Sequence, residues 1–396
     1  MPSLHDGSSE GPPSRPPVQS PRYDAIVVGG GLIGYAAAYQ LVRRGARTLL
    51  FDRGDPGRAT DAGAGIISRW GSIGAGPRSE LAWRAAVYYP ELLAMLDGDG
   101  AGETGYARPG RLMVAVSDDE LPEFARKREQ MLTLQAEGSG GSDLVDLNVC
   151  EAQQMFPPLG RVRSALYDRE AARVDGRMLR AALQRAAQAR GLYVQAGSVN
   201  QLMLQGDRVV GVTAEGKPAY ADRVIIAGGA WSGIFGSQLG VSLPVTPQRG
   251  QIVHLKFDDR DTTHWPIITP CRSHYMVCWD DGRVVVGASR ETGSGYRPQL
   301  TAGGIHEVLD EALRTAPGLK DARIHEMRVG LRPRTPDDMP VLGPVPGVAA
   351  VHLATGHGSG GLQQGPYSAM LVVAQALGDE PEMPLDAFSV SRFGRA

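Results

Sequence analysis

A glycine cluster between an apolar strand and an alanine-rich helix constrains the fold of this chain more than any other feature. The segment GGGLIG at 29–34 has the spacing GxGxxG. An apolar run precedes it at 24–28, a helical pattern follows at 32–44, and a second apolar run occupies 48–51. This order predicts a βαβ unit in which the glycine-rich turn leads from the first strand into the helix.

Each glycine of the motif has its own physical task. Gly29 permits the tight turn, Gly31 leaves no Cβ to obstruct a pyrophosphate at the helix N-terminus, and Gly34 lets helix and strand pack closely. Asp52 follows 18 residues after Gly34, at the end of the second strand, where a carboxylate can bond ribose hydroxyls. The spacing predicts a dinucleotide cofactor, either NAD or FAD, and the acid does not decide between them.

The composition is that of an ordinary globular protein and excludes several function classes. Of the 396 residues, 42% are hydrophobic and 21% are charged, and the formal net charge is -2. Without a basic excess, the sequence predicts neither nucleic acid nor an anionic membrane as a partner. The Pro-, Ser- and Gly-rich segment 1–21 has no apolar region and is expected to be a disordered leader.

The three cysteines indicate the compartment and exclude a metal site. They are too few for a disulfide framework in a chain of this length, and the odd count fits a reducing, cytoplasmic environment. Cys271, His274 and Cys278 fall close together, but on one strand only the last two share a face, and no fourth ligand is evident. We therefore expect no metal.

The segment 245–289 has a different pattern, with short strands separated by turns. Its clearest hairpin joins 274–279 to 283–287 through a turn of two aspartates and a glycine. We therefore expect a second, antiparallel unit beside the dinucleotide-binding one.

Six further segments resemble the FAD-dependent glycine oxidase and D-amino acid oxidase family, which includes enzymes similar to sarcosine oxidase. The resemblance extends over about 23–377, and the order of the segments makes it specific. The segments are DAGAGIIS at 61–68, TGYARPGRLMVAV at 104–116, ARVDGRMLRAAL at 172–183, VIIAGGAWS at 224–232, GLRPRTPDDMPVLGP at 330–344 and ATGHGSGG at 354–361.

This resemblance implies an α/β fold of mixed α+β character, with a Rossmann-type FAD-binding domain and a second, antiparallel-sheet substrate-binding domain. The FAD-binding domain is expected to be discontinuous, at 22–100, 150–240 and 325–385. The substrate-binding domain is expected at 101–149 and 241–324. FAD would lie at the seam between them.

The resemblance also implies the position of the flavin. The small residues of loop 62–66 look like the segment that passes the isoalloxazine ring, Val199 resembles the position that meets the adenine, and 356–362 resembles the loop at the pyrimidine edge. No cysteine lies in 330–344, where some relatives tether the flavin, so the FAD is expected to be noncovalent. The expected cofactor contacts are Gly29, Gly31, Leu32, Ile33, Gly34, Asp52, Arg53, Ala62, Gly63, Ala64, Gly65, Ile66, Val199, Ala227, Gly228, Trp231, Gly356, Gly358, Ser359, Gly360, Gly361 and Leu362.

Two residues are expected to act in catalysis. Arg332 resembles the family arginine that clamps the substrate carboxylate, a role that suits a guanidinium because its fork matches two carboxylate oxygens. Tyr275 looks like the tyrosine whose hydroxyl joins that contact. The further expected substrate contacts are Ser68, Arg69, His357 and Ser359. For His357, helix capping or packing is equally open.

The resemblance implies oxidative deamination of an amino acid or of an N-substituted glycine. A hydride equivalent would pass from Cα to flavin N5, and water would hydrolyse the imine to an oxo acid such as glyoxylate and an amine. Oxygen would then reoxidise the flavin to give hydrogen peroxide. Small residues at 358–360, with Cys278 and Trp279 after the tyrosine, depart from the glycine oxidase branch and favour a bulkier amine than glycine.

Other functions stay open at this point. They include a dehydrogenase that passes electrons to a quinone or carrier protein, D-amino acid oxidation, a flavin monooxygenase and a flavin-binding module without turnover. The expected partners are a small-molecule amine or amino acid and O2, and the chain could form a homo-oligomer.

Overall fold

The computed structural model describes residues 22–70, 74, 76–136, 144–272 and 274–394, so the predicted leader at 1–21 lies outside the described residues. These residues form seven α-helices and 21 β-strands. The helices are α1 (Leu32–Arg43), α2 (Pro77–Gly98), α3 (Leu121–Ala136), α4 (Val149–Met155), α5 (Gly176–Ala189), α6 (Ala302–Thr315) and α7 (Gly361–Leu377).

The strands follow in chain order. They are β1 (Arg22–Tyr23), β2 (Ala25–Val28), β3 (Thr48–Asp52), β4 (Ile66–Ile67), β5 (Arg111–Ala115), β6 (Leu144–Leu147), β7 (Ser164–Asp168), β8 (Ala172–Arg173), β9 (Tyr193–Ala196), β10 (Val199–Gln205), β11 (Arg208–Ala214), β12 (Lys217–Ala221), β13 (Val224–Ile226), β14 (Thr246–Lys256), β15 (Ile267–Pro270), β16 (Tyr275–Cys278), β17 (Arg283–Gly287), β18 (Glu291–Thr292), β19 (Arg323–Arg334), β20 (Val341–Val345) and β21 (Val348–Thr355).

The first sheet is built around five parallel strands in the order β21-β13-β2-β3-β9. The predicted βαβ unit is confirmed as β2, α1 and β3. Helices α1, α2, α5 and α7 contribute to the apolar core on one face of this sheet, and the antiparallel strands β10, β11 and β12 extend its edge. Three consecutive alanines at 36–38 are almost fully buried, which lets α1 lie close to its neighbours.

The second sheet has the order β18-β14-β17-β16-β15-β5-β7-β6, and β19 pairs with β14 as well. All its strand pairs are antiparallel except β15 with β5. The predicted hairpin is present as β16 and β17. One face of the sheet packs on α4 and α6, and the other faces the first unit. The predicted mixed α/β class is therefore confirmed.

Two strands from the ranges predicted for the FAD-binding domain pair with the second sheet. β7 pairs with β5 and β6, although it lies within 150–240. β19 pairs with β14 over nearly its whole length, although most of it lies within 325–385. Both strands find their hydrogen-bonding partners in segments distant along the chain, and no local pattern specifies such a partner.

None of the helices in the described part of the chain combines the length and the apolar character that a membrane span needs.

Candidate functional site

A cavity of about 930 Å³ lies between the glycine-rich turn of the first sheet and the inner face of the second. Its volume is at the upper end of the ~300–1,000 Å³ that is usual for ligand pockets. Most of the predicted contacts line it. They are Gly29, Gly31, Leu32, Ile33, Asp52, Arg53, Ala62, Gly63, Ala64, Gly65, Ile66, Val199, Ala227, Gly228, Trp231, Tyr275, Arg332, His357, Gly358, Ser359, Gly360, Gly361 and Leu362.

The glycine motif forms one end of this cavity, and its three glycines differ in what surrounds them. Gly29 has a φ of +109°, and a Cβ there would lie 2.5 Å from the carbonyl oxygen of Ala227. A Cβ on Gly34 would overlap the carbonyl oxygen of Gly29. At Gly31, by contrast, the nearest atom to a Cβ would be Thr60 Oγ1, at 3.7 Å. The space beside Gly31 therefore belongs to the cavity, as a pyrophosphate contact requires.

Two helices begin at the cavity wall. α1 follows Gly31 and α7 follows Gly360, and neither helix has a side-chain cap or an acidic residue in its first turn. The Leu32 N–H donates to Thr60 Oγ1 at 3.1 Å. Helix N-termini carry partial positive charge, so both favour an anionic group in the cavity. A dinucleotide with a pyrophosphate and an electron-rich ring fits this pair of helix ends.

Asp52 lies at the end of β3, where the motif predicts a ribose-binding acid. Its Oδ2 accepts from Arg58 Nη2 at 2.6 Å, and Arg180 Nη2 lies 3.6 Å away. Arg180 Nε also donates to the carbonyl oxygen of Gly30 at 2.6 Å. Two arginines therefore hold the acid beside the glycine turn: Arg58 comes from the loop after β3, and Arg180 comes from α5, within the segment 172–183.

The loop 62–66 contacts the cavity-facing side of the second sheet. Ala62, Ala64 and Ile66 pack against its apolar cluster. Gly65 has a φ of +75°, and a Cβ there would overlap the carbonyl oxygen of Val174. The backbone is thus fixed close to the cavity, in agreement with a segment that passes a flat ring.

Strand register brings the two predicted catalytic residues to one face of the second sheet. Tyr275 pairs with Gly287, and Gly287 pairs with Ile252 on β14. Arg332 pairs with Gln248, which lies four residues before Ile252 on the same strand. Because side chains alternate between faces with a period of two, Arg332 and Tyr275 share the cavity face.

Among the described residues, the Arg332 guanidinium makes a single hydrogen bond. Its Nη1 donates to the carbonyl oxygen of Ser289 at 2.9 Å, and the group lies over Gly250, where any Cβ would overlap it. Burial lowers the pKa of Arg332, and the nearby Tyr275 opposes this shift. An arginine remains charged under these conditions, so the site offers a partly desolvated cation to an anionic ligand.

The Tyr275 hydroxyl lies beside Gly287, which has no side chain to displace it. Burial raises the pKa of Tyr275, and Arg332 and Arg290 act against that rise. The phenol therefore stays protonated at neutral pH and can donate a hydrogen bond.

His357 is buried at the start of the glycine loop, with 4% of its surface exposed. Neither ring nitrogen has a hydrogen-bond partner among the described residues, and burial lowers its pKa to about 3. It precedes the short 3-10 helix Gly358–Gly360 without a side-chain capping bond. The imidazole is therefore neutral at physiological pH, and its side chain makes no capping hydrogen bond to the described residues of the 3-10 helix.

Four predicted contacts do not line the cavity. Gly34 packs against Gly29, and Gly356 packs against Thr335 and Val341. Ser68 is buried, and Arg69 is half-buried outside the lining. The Ser68 N–H donates to the Gln363 side chain, and the Ser68 carbonyl accepts from it. Ser68 therefore stabilises the start of α7 without lining the cavity.

Several ionisable residues line the cavity that the sequence analysis did not assign to the site. They are Asp55, Arg58, Arg78, Arg111, Arg272, His274, Arg290, Arg334 and Asp338. They come from separate segments, and only the sheet pairing and the loops bring them together. Arg111 alone carried a signal, because it is a charged residue at the start of the otherwise apolar pattern RLMVA.

The chain is similar to known proteins in sequence and in structure over nearly its whole length. Residues 24–375 match the family described as DAO, FAD dependent oxidoreductase. The chain is 38% identical to the uncharacterized oxidoreductase YurR of Bacillus subtilis (strain 168), over 92% of this chain and 97% of that protein. It is 31% identical to a glycine oxidase of Pseudomonas aeruginosa, over 90% of this chain and 95% of that enzyme. The crystal structure of iminodiacetate oxidase (IdaA) from Chelativorans sp. BNC1 has a TM-score of 0.87 and 38% identity, and the match covers 92% of this chain and 98% of that one.

Proposed function

Because this chain belongs to the family of FAD-dependent oxidoreductases, we propose that it oxidises an amino acid or an N-substituted glycine at the carbon that bears both amine and carboxylate. The products are an oxo acid, such as glyoxylate, and an amine or ammonia. Molecular oxygen is the proposed final electron acceptor, and hydrogen peroxide is its product.

The observation that carries this proposal is the shared cavity face of Arg332 and Tyr275, opposite the glycine cradle. A guanidinium with one nitrogen bound to Ser289 and the rest open to the cavity suits a carboxylate. The protonated Tyr275 hydroxyl adds a second donor. A carboxylate held by these two groups is anchored on the cavity-facing side of the second sheet.

The residues of the chain act mainly by positioning. Bound FAD supplies the two-electron acceptor for the hydride that leaves Cα. Arg332 and Tyr275 fix the carboxylate, so Cα keeps a constant place relative to the loop 62–66 and the start of α7. The two helix N-termini favour negative charge on the cofactor. The imine product is then hydrolysed by water.

The names of the similar proteins support this class of substrate. Iminodiacetate and glycine both carry an amine and a carboxylate on one carbon, and the two enzymes named for them are 38% and 31% identical to this chain. An N-substituted glycine contains the shared unit and requires only additional space on the nitrogen.

Anaerobic mixing of the FAD-loaded protein with a panel of amines tests the proposal. Glycine, sarcosine, bulkier N-alkyl glycines and D-amino acids are compared by the loss of the oxidised flavin band. With the best substrate, Arg332→Ala should raise the apparent Kd by roughly 10- to 150-fold, because a charged hydrogen bond is lost. Tyr275→Phe should raise it by roughly 2- to 10-fold. The flavin spectrum of both variants should match that of the wild type.

Two results would contradict this function. If no member of the panel reduces the flavin, the amine is not the substrate class. If Arg332→Ala binds the best amine as tightly as the wild type does, the carboxylate clamp is assigned to the wrong residue. Admitting air after reduction separates an oxidase from a dehydrogenase, because an oxidase recovers its oxidised band quickly.

A further inference from the structure

Arg111 is a buried cation at the cavity, and the family comparison gives it no role. It begins β5, lines the cavity and is 7% exposed. Its Nε and Nη2 are buried and have no hydrogen-bond partner among the described residues. Nη1 is the only nitrogen of this guanidinium that is not fully buried, so the charged group meets the cavity through Nη1 and can donate there to an anionic ligand.

The acid nearest to Arg111 compensates its charge only in part. Asp168 Oδ2 lies 3.7 Å from Arg111 Nη2, which is beyond hydrogen-bond distance. Asp168 is itself buried and accepts from Ser68 Oγ at 3.3 Å and from the Glu170 N–H at 3.1 Å. Arg111 and Asp168 therefore form a buried ion pair without a direct hydrogen bond, which leaves the hydrogen-bonding capacity of Arg111 unused by this acid.

Strand register places Arg111 on the same face as the proposed carboxylate clamp. Ile268 pairs with Met276, so Thr269 lies opposite Tyr275, and Arg111 pairs with Ile267 on the same side of the sheet. Arg111 is two strands away from Tyr275 across the sheet and is displaced by two residues along the strand direction. The distance between their Cα atoms is therefore roughly 12 Å. The Arg332 guanidinium lies over Gly250 on β14, and Arg111 lies on β5. The strand that carries Tyr275, β16, is between β14 and β5 in the sheet, so Tyr275 lies between Arg332 and Arg111.

We propose that Arg111 binds a second carboxylate of the substrate. The preferred substrates are then amines with two carboxylates, one on the carbon that is oxidised and one on the nitrogen substituent or the side chain. This inference rests on the proposed function and adds a specificity determinant to it.

A diacid and its neutral analogue test this inference directly. Iminodiacetate and its monoamide, N-(carbamoylmethyl)glycine, differ in one charge and have nearly the same size. The readout is the ratio of kcat/KM for the diacid to kcat/KM for the monoamide, with the FAD-loaded enzyme. The wild type should favour the diacid by roughly 10- to 100-fold, because the second carboxylate gains charged hydrogen bonds.

Arg111→Gln should remove most of this preference and leave the monoamide rate within about threefold of the wild type. Arg111→Lys should keep part of the preference, since it keeps the charge but not the fork. Arg173→Gln is the matched control. Arg173 is also buried, at 4% exposed, but it lies against Trp279 and outside the cavity lining, so its loss should leave the ratio unchanged.

Binding without turnover provides a second measurement. Thiodiacetate and its monoamide lack the amine, so their Kd can be read from the shift of the flavin band. The same preference for the diacid is expected, and it should be lost in Arg111→Gln. Because this comparison also works on the wild type alone, it remains decisive if an Arg111 variant does not fold.

Three results would overturn the inference. The first is equal use of diacid and monoamide by the wild type. The second is an equal loss for both in Arg111→Gln, which would make Arg111 and Asp168 a structural pair. The third is weaker FAD binding in Arg111→Gln, which would make Arg111 a cofactor contact. If the monoamide reduces the flavin while any of these holds, the proposed function stands and only the diacid preference fails.

Discussion

The two ends of the cavity are built from different parts of the chain. At the cofactor end, the wall is mostly main chain: glycines 29, 30 and 31, the start of α1 and the start of α7. At the substrate end, the wall is made of side chains on a sheet face, above all Arg332, Tyr275 and Arg111. Main-chain N–H groups and helix dipoles recognise phosphate without any particular side chain, whereas a carboxylate is recognised here by guanidinium groups.

This difference predicts that the cofactor end tolerates less change than the substrate end. A glycine packed against backbone has no room for another atom, and the backbone cannot move without disturbing the sheet. A side chain on a sheet face can turn or shorten while the strand stays in place. We therefore expect substitutions at the cofactor end to affect folding or FAD binding and substitutions at the substrate end to affect substrate binding and turnover.

The largest expected effect is that of Gly34→Ala. The new Cβ would overlap the carbonyl oxygen of Gly29, so helix α1 has to move away from β2. Overpacking against backbone should cost about 3 kcal/mol of unfolding free energy or more. Thermal or denaturant unfolding of the FAD-free protein measures this loss, and the variant should not retain FAD.

Gly31→Ala is the matched control for that variant. Its Cβ would have no protein atom within 3.7 Å, so the stability of the FAD-free protein should change by less than about 1 kcal/mol. Its FAD affinity should nevertheless fall at least roughly tenfold, because the methyl group enters the space of the pyrophosphate. Equal stability losses in the two variants would show that both glycines serve packing only.

The sequence predicted the cofactor end better than the substrate end, for a physical reason. The GxGxxG motif, the strands around it and Asp52 lie close together in sequence, and the need for each glycine follows from the turn and helix start that it forms. The partners of Asp52 could not be predicted, because Arg58 and Arg180 reach it from a loop and from α5.

Pairing between distant strands limited the prediction of the substrate end. Arg332 and Tyr275 were recognised through family resemblance, and only the register of β14, β16, β17 and β19 shows that they share a face. Ser68 was expected to contact the substrate, but the structure turns it toward Asp168 and Gln363. A local pattern fixes which residues form a strand, but the neighbouring strand decides what its side chains meet.

His357 is a side chain at the cofactor end whose titration should make the unfolding free energy depend on pH. Its pKa is about 3 in the folded protein and 6.5 without burial, so the unfolded state binds the proton more tightly. Its contribution to stability is therefore fully favourable above about pH 6.5 and is lost progressively as the pH falls toward 3. At pH 5 the loss from this histidine should be about 2 kcal/mol relative to pH 8.

The measurement is the unfolding free energy of wild type and His357→Asn at pH 8 and pH 5, with FAD in excess. Asn does not titrate, so the variant should lose less stability between the two pH values by about 2 kcal/mol. His254 and His352 also have lowered pKa values, at about 3 and about 4, and they contribute equally to both proteins. Identical pH dependence in the two proteins would mean that the protonated imidazole has a hydrogen-bond acceptor or access to water.

The smallest expected effect is that of Gly250→Ala, and it separates the two ends of the cavity most sharply. The new Cβ would overlap the guanidinium of Arg332, the free end of a flexible side chain, so the group moves aside at little cost in stability. Displacing the clamp should raise the apparent Kd of the best amine roughly tenfold while FAD binding stays unchanged. Gly303→Ala on α6, with no atom within 4 Å of its Cβ, should change neither quantity. If Gly250→Ala weakened FAD binding as well, the two ends would be coupled through the sheet, because the substitution touches no part of the glycine cradle.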